Sequence, residues 1–213
     1  MAEMKTDELN ILSASDESFD YEDFIEHYFD VMQLSEKEKK KRIEAAEELF
    51  DIIVYFLVWC EEFPEEVNTE EVIRQFENDY KEKIFEFSEP NDYLSSYVPM
   101  FIRNLIDVTL QHSGEEYFTS IERAANVAVN ESNTVLNYMD LETAKSLGYT
   151  MKTWKTEKDN RVRHTHREVD EYTIPIDEPF LVGESLMLFP HDQYTYDADP
   201  KEIINCRCVC EYS

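Results

Sequence analysis

Glycine is scarce in this chain: 213 residues contain three. Phosphate cradles of the dinucleotide or P-loop kind need several glycines in one tight loop, where backbone N–H groups close on the ligand. Gly114, Gly148 and Gly183 stand far apart, which excludes such a nucleotide site. Cysteine is almost as rare, four in all, and three fall in the window Cys206–Cys210. That is not the spacing of a disulfide framework, and in a reducing compartment a cluster of this kind signals metal or redox chemistry. Long apolar runs are missing too. The longest, Ile52 to Cys60, falls well short of the roughly 20 residues that span a bilayer. Met1 to Leu9 lacks the basic start and apolar stretch of an export signal. The expectation is a soluble chain, cytoplasmic during production, without a membrane partner. No Ser/His/Asp series or metalloprotease motif is present, and nothing points to a small-molecule substrate.

Basic residues are the other deficit, 20 Lys and Arg against 48 Asp and Glu, for a formal charge of −28. Such a balance argues against non-specific binding of nucleic acid or anionic membrane by the whole molecule. The acidity lies mainly in the first half: residues 1–100 hold 28 acids and 9 bases, residues 101–213 hold 20 and 11. Solvated helical faces account for charge runs of this kind; mimicry of nucleic acid or docking onto a basic partner is the alternative. Against these deficits stand 42% hydrophobic and 13% aromatic residues, enough for a packed core.

Periodicity places helices through the first half. Asp16 is a candidate N-cap for a helix to about Gln33, carrying Phe19, Phe24, Ile25, Tyr28 and Phe29. Ser35 and Glu38 form a capping box for a second helix, apolar all round from Leu49 to Trp59 and closed by Pro64. A third runs from Thr69 until Pro90-Asn91-Asp92 breaks it, and a fourth follows Pro99 up to Ser113-Gly114. Ser113 and Glu116 suggest a cap for a long helix to Asn137, with a short one at Leu141–Leu147 ended by Gly148. From Tyr149 the texture changes to short strand candidates: Tyr149–Thr156, Tyr172–Ile176, Phe180–Val182, Leu186–Phe189 and Ile203–Tyr212. The order predicts an α+β fold, with an acidic all-helical region over 1–110 and a small α+β domain with a short-stranded antiparallel sheet over 111–213.

Chemistry-bearing residues concentrate in two stretches, Trp154–Arg167 and Asn205–Cys208. Lys152, Lys155, Lys158, Arg161, Arg163 and Arg167, interleaved with Trp154, His164 and His166, make a local cationic patch. It suits either pairing with acids of this chain or a neighbouring copy, ranked first, or a transient DNA contact through Lys152–Arg167. On one face of an extended strand, Cys206, Cys208 and Cys210 together with His164 or His166 would supply N/S ligands for zinc. Packed free thiols are the alternative. A catalytic reading makes His166 a general base, Arg161 and Arg163 anion stabilisers and Glu131 a further acid or base. Its plainer counterpart is a structural histidine, with the arginines paired to acids such as Asp159 and Asp170.

The succession Trp154, Asp159, Arg161, Arg163, His166, Phe180, Pro190 and Asn205-Cys206-Arg207-Cys208 resembles the C-terminal domain of the phage Mu F-type minor head proteins, the phage head-morphogenesis family. The resemblance covers roughly residues 115–212. It implies a low-copy component of a tailed-phage or prophage capsid. Such a protein works near the portal vertex in head assembly, genome packaging or DNA delivery, with portal or capsid proteins as partners. It implies a virion or procapsid location and no established enzymatic activity. Two departures stand out: Val169-Asp170-Glu171 replaces a Leu-Asp-Gly-like turn, and Val129-Asn130-Glu131 keeps only the acid of an Arg-Thr-Glu-like triplet. In this reading Trp154 and Phe180 pack a core, and Asp159, Arg161, Arg163, His166, Asn205, Cys206, Arg207 and Cys208 form a polar knot between the central turn and the last strand. An enzyme acting on nucleic acid or nucleotide, and a zinc-stabilised binding module, are the other two readings.

Overall fold

Where a helix begins is decided by what satisfies its first free N–H groups. The computed structural model describes residues 19–213. There α1 (Tyr21–Asp30) is opened by Asp20, whose Oδ1 accepts from Asp23 N at 3.0 Å; the expected cap Asp16 lies outside the described residues. In front of α2 (Glu36–Glu62) the capping box is formed: Ser35 N donates to Glu38 Oε2 at 2.9 Å and Glu38 N to Ser35 Oγ at 3.3 Å. Pro64 sits in the first turn of a short α3 (Pro64–Val67), where a missing N–H costs nothing. Thr69 caps α4 (Glu70–Ile84).

Two helix boundaries differ from the sequence reading. Asn91 not only ends what precedes it but caps α5 (Asp92–Gln111), accepting from Leu94 N at 2.8 Å, so Pro99 lies inside the helix rather than ahead of it. The proline removes one backbone donor, and the helix is held through it by a buried seam of Leu94, Val98, Phe101, Ile102, Leu105 and Ile106. Further on, Ser113 and Glu116 do not open the long helix. A 3-10 turn spans Glu116–Thr119, Ser120 Oγ accepts from Arg123 N at 3.1 Å, and α6 then runs unbroken over Ile121–Ser146. Gly148, at φ +82°, ends it. Its N–H reaches Lys145 O and that of Tyr149 reaches Ala144 O, both at 3.0 Å, in a Schellman arrangement that requires the left-handed residue.

The described residues form two compact units, one of residues up to Tyr28 with Ile43–Ala128, the other of Phe29–Arg42 with Val129–Ser213. The first is helical, with an aromatic core in which Phe56 stacks on Phe76 at 4.2 Å and Tyr80 meets Phe101 at 4.9 Å.

The second unit carries the sheets. Strand β1 (Met151–Lys155) lies between β2 (Thr173–Pro175) and β5 (Val209–Tyr212), antiparallel to both, with Thr153 opposite Thr173 and Trp154 opposite Cys210. Strands β3 (Phe180–Val182) and β4 (Ser185–Met187) pair as a separate hairpin. Alternation along β1 turns Trp154 and Lys152 inward. Trp154, Phe180, Val182, Met187 and Ile203 pack together with Cys206 and Cys208. Two short helices, α7 (His164–Val169) and α8 (Pro200–Ile203), complete the unit. The last strand is shorter than expected: Ile203 ends α8, Asn205 turns the chain at φ +57°, and extended pairing starts only at Val209. Helices first and small antiparallel sheets after make the fold α+β. No helix among the described residues is long and apolar enough to cross a membrane.

Candidate functional site

On α7, successive residues advance by about 100°, so His164 and His166 point in nearly opposite directions. His164 is exposed and sits 3.4 Å from Glu168. His166 is 1% exposed and turned into the core. Its Nδ1 lies 3.4 Å from Cys208 Sγ and 3.6 Å from Cys206 Sγ, and its Nε2 lies 3.2 Å from Glu202 Oε2. Glu202, buried on α8, also accepts from Thr165 Oγ1 at 2.8 Å. Cys208 N donates to Cys206 Sγ at 3.4 Å, and the Trp154 ring meets the imidazole edge-on at 5.7 Å. The donor atoms of His166, Cys206 and Cys208 all lie within 4.8 Å of one another, an N/S/S set that could hold a metal ion.

The electrostatics of the cluster follow from its closeness. Burial raises the Cys206 pKa, but hydrogen bonds from Cys208, His166 and His191 outweigh it and hold the thiol well below its ordinary value. Cys208 is pushed well above, first by its bond to Cys206 and then by burial. Burial pulls the His166 ring down, while the hydrogen bond and charge of Cys206 raise it, for a net upward shift.

Around the cluster the motif residues tie backbone to backbone. Asp159 accepts from Arg161 N and Arg207 Nη2, both at 2.9 Å; burial opposes the ionised carboxylate, and these donors hold its pKa below the usual value. Arg163 donates to Ile204 O, and Asn205 N donates to Asn130 Oδ1 at 2.7 Å. Together with Glu157, the side chains of Arg161, Arg163, Asn205 and Arg207 line an indentation whose wall includes His166, Cys206 and Cys208.

Cys210 is not part of this group. The turn at Asn205 leaves Cys206 and Cys208 ahead of the strand, so the three thiols do not share one strand face; burial, more than any neighbour, pushes Cys210 up to about 12. Glu131 is buried on α6 beside Asn130. Of the basic run, Lys158, Arg161, His164 and Arg167 are exposed, but most of its charges have partners and one member is buried. Lys152 is fully buried, donating to Leu188 O at 2.6 Å, and burial lowers its pKa to about 8. Lys155 pairs with Glu171 and Glu211 at 2.7 and 3.0 Å, and Lys158 with Glu171 at 2.5 Å. Arg167 donates to Asp159 O and Asn160 O. A general base must reach its substrate, and His166, buried and engaged at both ring nitrogens, does not meet that requirement.

Glu202, His191 and Asn130 belong to the site without having been singled out by sequence. His191 Nε2 donates to Cys206 O at 2.5 Å. Asp199-Pro200, a cap followed by a first-turn proline, signals α8, but nothing in its spacing shows that Glu202 points inward.

Residues 73–211 match the family model described as Phage Mu protein F like protein. The match starts in α4, well ahead of residue 115, and contains every residue of the cluster. No curated protein and no solved structure matches the chain.

Proposed function

The chain belongs to the Phage Mu protein F like family, and from that premise we propose that it is a minor head protein of a tailed phage or prophage, acting beside the portal in head assembly and in genome packaging or DNA delivery. The observation that carries this is the family match over about two thirds of the chain, which spans all the motif residues. In this reading the Asp159, Arg163, Asn205 and Arg207 contacts are structural: Asp159–Arg207 and Arg163–Ile204 hold the turn before α7 against the segment leading into β5, and Asn205 ties that segment to Asn130 on α6. The role is one of assembly without catalysis. Lys155, Lys158 and Arg167 have partners within the unit, which supports ranking pairing with acids of this chain ahead of a transient DNA contact through Lys152–Arg167. The acidic composition of residues 1–100 suits a basic face on a neighbouring head protein.

The test is to tag the chain in a lysogen or infected host and purify procapsids and mature particles. The chain is expected in both at low copy number and cross-linked to portal or capsid subunits. Recovery only outside particles, with normal heads forming when its gene is deleted, would overturn the assignment.

A further inference from the structure

Beyond a part in head assembly, we propose that His166 Nδ1, Cys206 Sγ and Cys208 Sγ are the three protein ligands of a single zinc ion, with water completing the coordination on the side of the adjoining indentation.

Geometry is the first support. A tetrahedral zinc with bonds of about 2.3 Å to sulfur and about 2.0 Å to nitrogen sets N and S ligands about 3.6 Å apart. The observed separations are 3.4 Å to Cys208 and 3.6 Å to Cys206. The second support is what stands behind the histidine. A ligating imidazole is oriented by a carboxylate on its far nitrogen, which fixes the tautomer and leaves the near nitrogen with a bare lone pair. Glu202, buried and held by Thr165, is in that place at 3.2 Å from Nε2. The backbone N–H of Cys208 aimed at Cys206 Sγ is a further outer contact of the kind that steadies a metal-bound thiolate.

Charge and softness select the ion. Two thiolates and a neutral imidazole neutralise a divalent cation, which lets the whole site be buried, and sulfur ligands prefer zinc to the hard cations magnesium and calcium. The set is limited to three. His164 is exposed and points away, while Cys210 and Cys60 lie outside the cluster. Three protein ligands with one open position are the pattern of zinc that keeps an exchangeable site. Here that position adjoins an indentation bearing Arg161, Arg163, Asn205 and Arg207.

The full chain, expressed with zinc in the medium and purified reduced, is expected to carry one zinc per chain by elemental analysis. After removal of the metal with a chelator, titration with cobalt should give thiolate-to-cobalt charge-transfer absorption and the visible bands of a tetrahedral ion. Cys206→Ser and Cys208→Ser should abolish the absorption, Cys210→Ser and Cys60→Ser should retain it, and Glu202→Gln should weaken zinc about 10- to 100-fold without removing the site. Should the ligand variants fail to fold, the titration of the unaltered chain decides. Zinc-free protein whose reduced thiols give no cobalt spectrum overturns the proposal, as does a spectrum that survives Cys206→Ser and is lost in Cys210→Ser.

Discussion

Lys152 shows how far a single residue can depart from its sequence appearance. It reads as one cation of a basic run, yet β1 turns it inward, over the Phe180 ring at 5.3 Å. Its folded pKa, about 8 because of burial, is below the ordinary lysine value, so the fold disfavours the charged form. The penalty is complete below about pH 8 and vanishes as pH rises toward about 10.4, amounting to no more than about 3 kcal/mol. Denaturant titrations of the native chain and Lys152→Met should therefore show their stability difference moving toward the native chain as pH rises through that window. A pH-independent difference would contradict a buried charge. Asn205, at φ +57°, is a second such residue. Asn205→Ala should cost about 1–2 kcal/mol in a thermal or chemical melt, because a Cβ residue without a locally bonding side chain resists the left-handed region; Asn205→Gly should cost less. Glu171 is a third. It takes φ +64° itself and sets its carboxylate between Lys155 and Lys158, which hold its pKa at about 2.

At the scale of elements, caps were legible except at Ser113–Glu116, and interruptions were not. Ser35-Glu38 and Thr69 mark helix starts because side-chain oxygens satisfying free N–H groups are local chemistry. Asn137 reads in the sequence as the end of the long helix, but it and Asn133 are buried and accept from Arg42, at 2.9 and 2.8 Å, so a tertiary partner outweighs propensity. Arg42→Ala should cost about 2–3 kcal/mol in unfolding free energy, since it removes buried donors from the Asn133 and Asn137 carbonyl oxygens. An effect under 1 kcal/mol would mean that water replaces the guanidinium. Pro99 inside α5 makes the opposite prediction. Pro99→Ala restores a backbone donor within a helix and should raise the melting temperature, by about 1–3 kcal/mol of stability after allowing for the looser unfolded chain. A lower melting temperature would show that the packing of α5 depends on the proline.

For the molecule as a whole, a formal charge of −28 means self-repulsion. Melting temperature should rise from low to moderate salt as screening sets in; a fall would mean that pairs such as Lys83–Glu48, at 2.5 Å, outweigh the repulsion. The α+β class was readable because hydrophobic period changes near Tyr149. That His166 meets Cys206 and Cys208 was expected from residue type and from the family resemblance, but the exclusion of His164 and Cys210 was not legible, since it depends on a helix of six residues at His164 and on the turn at Asn205. Sheet order adds a consequence in time. Thr153 pairs with Thr173, 20 positions on, and also with Glu211, 58 positions on. Closing the longer loop costs roughly 1 kcal/mol more entropy, so β5 is expected to dock after β1 and β2 have met. Until it does, the two thiols travel on an undocked segment, away from the imidazole and open to oxidants. Refolding under reducing conditions should reach the finished sheet, whereas an oxidising buffer should trap chains whose Cys206 and Cys208 have already reacted.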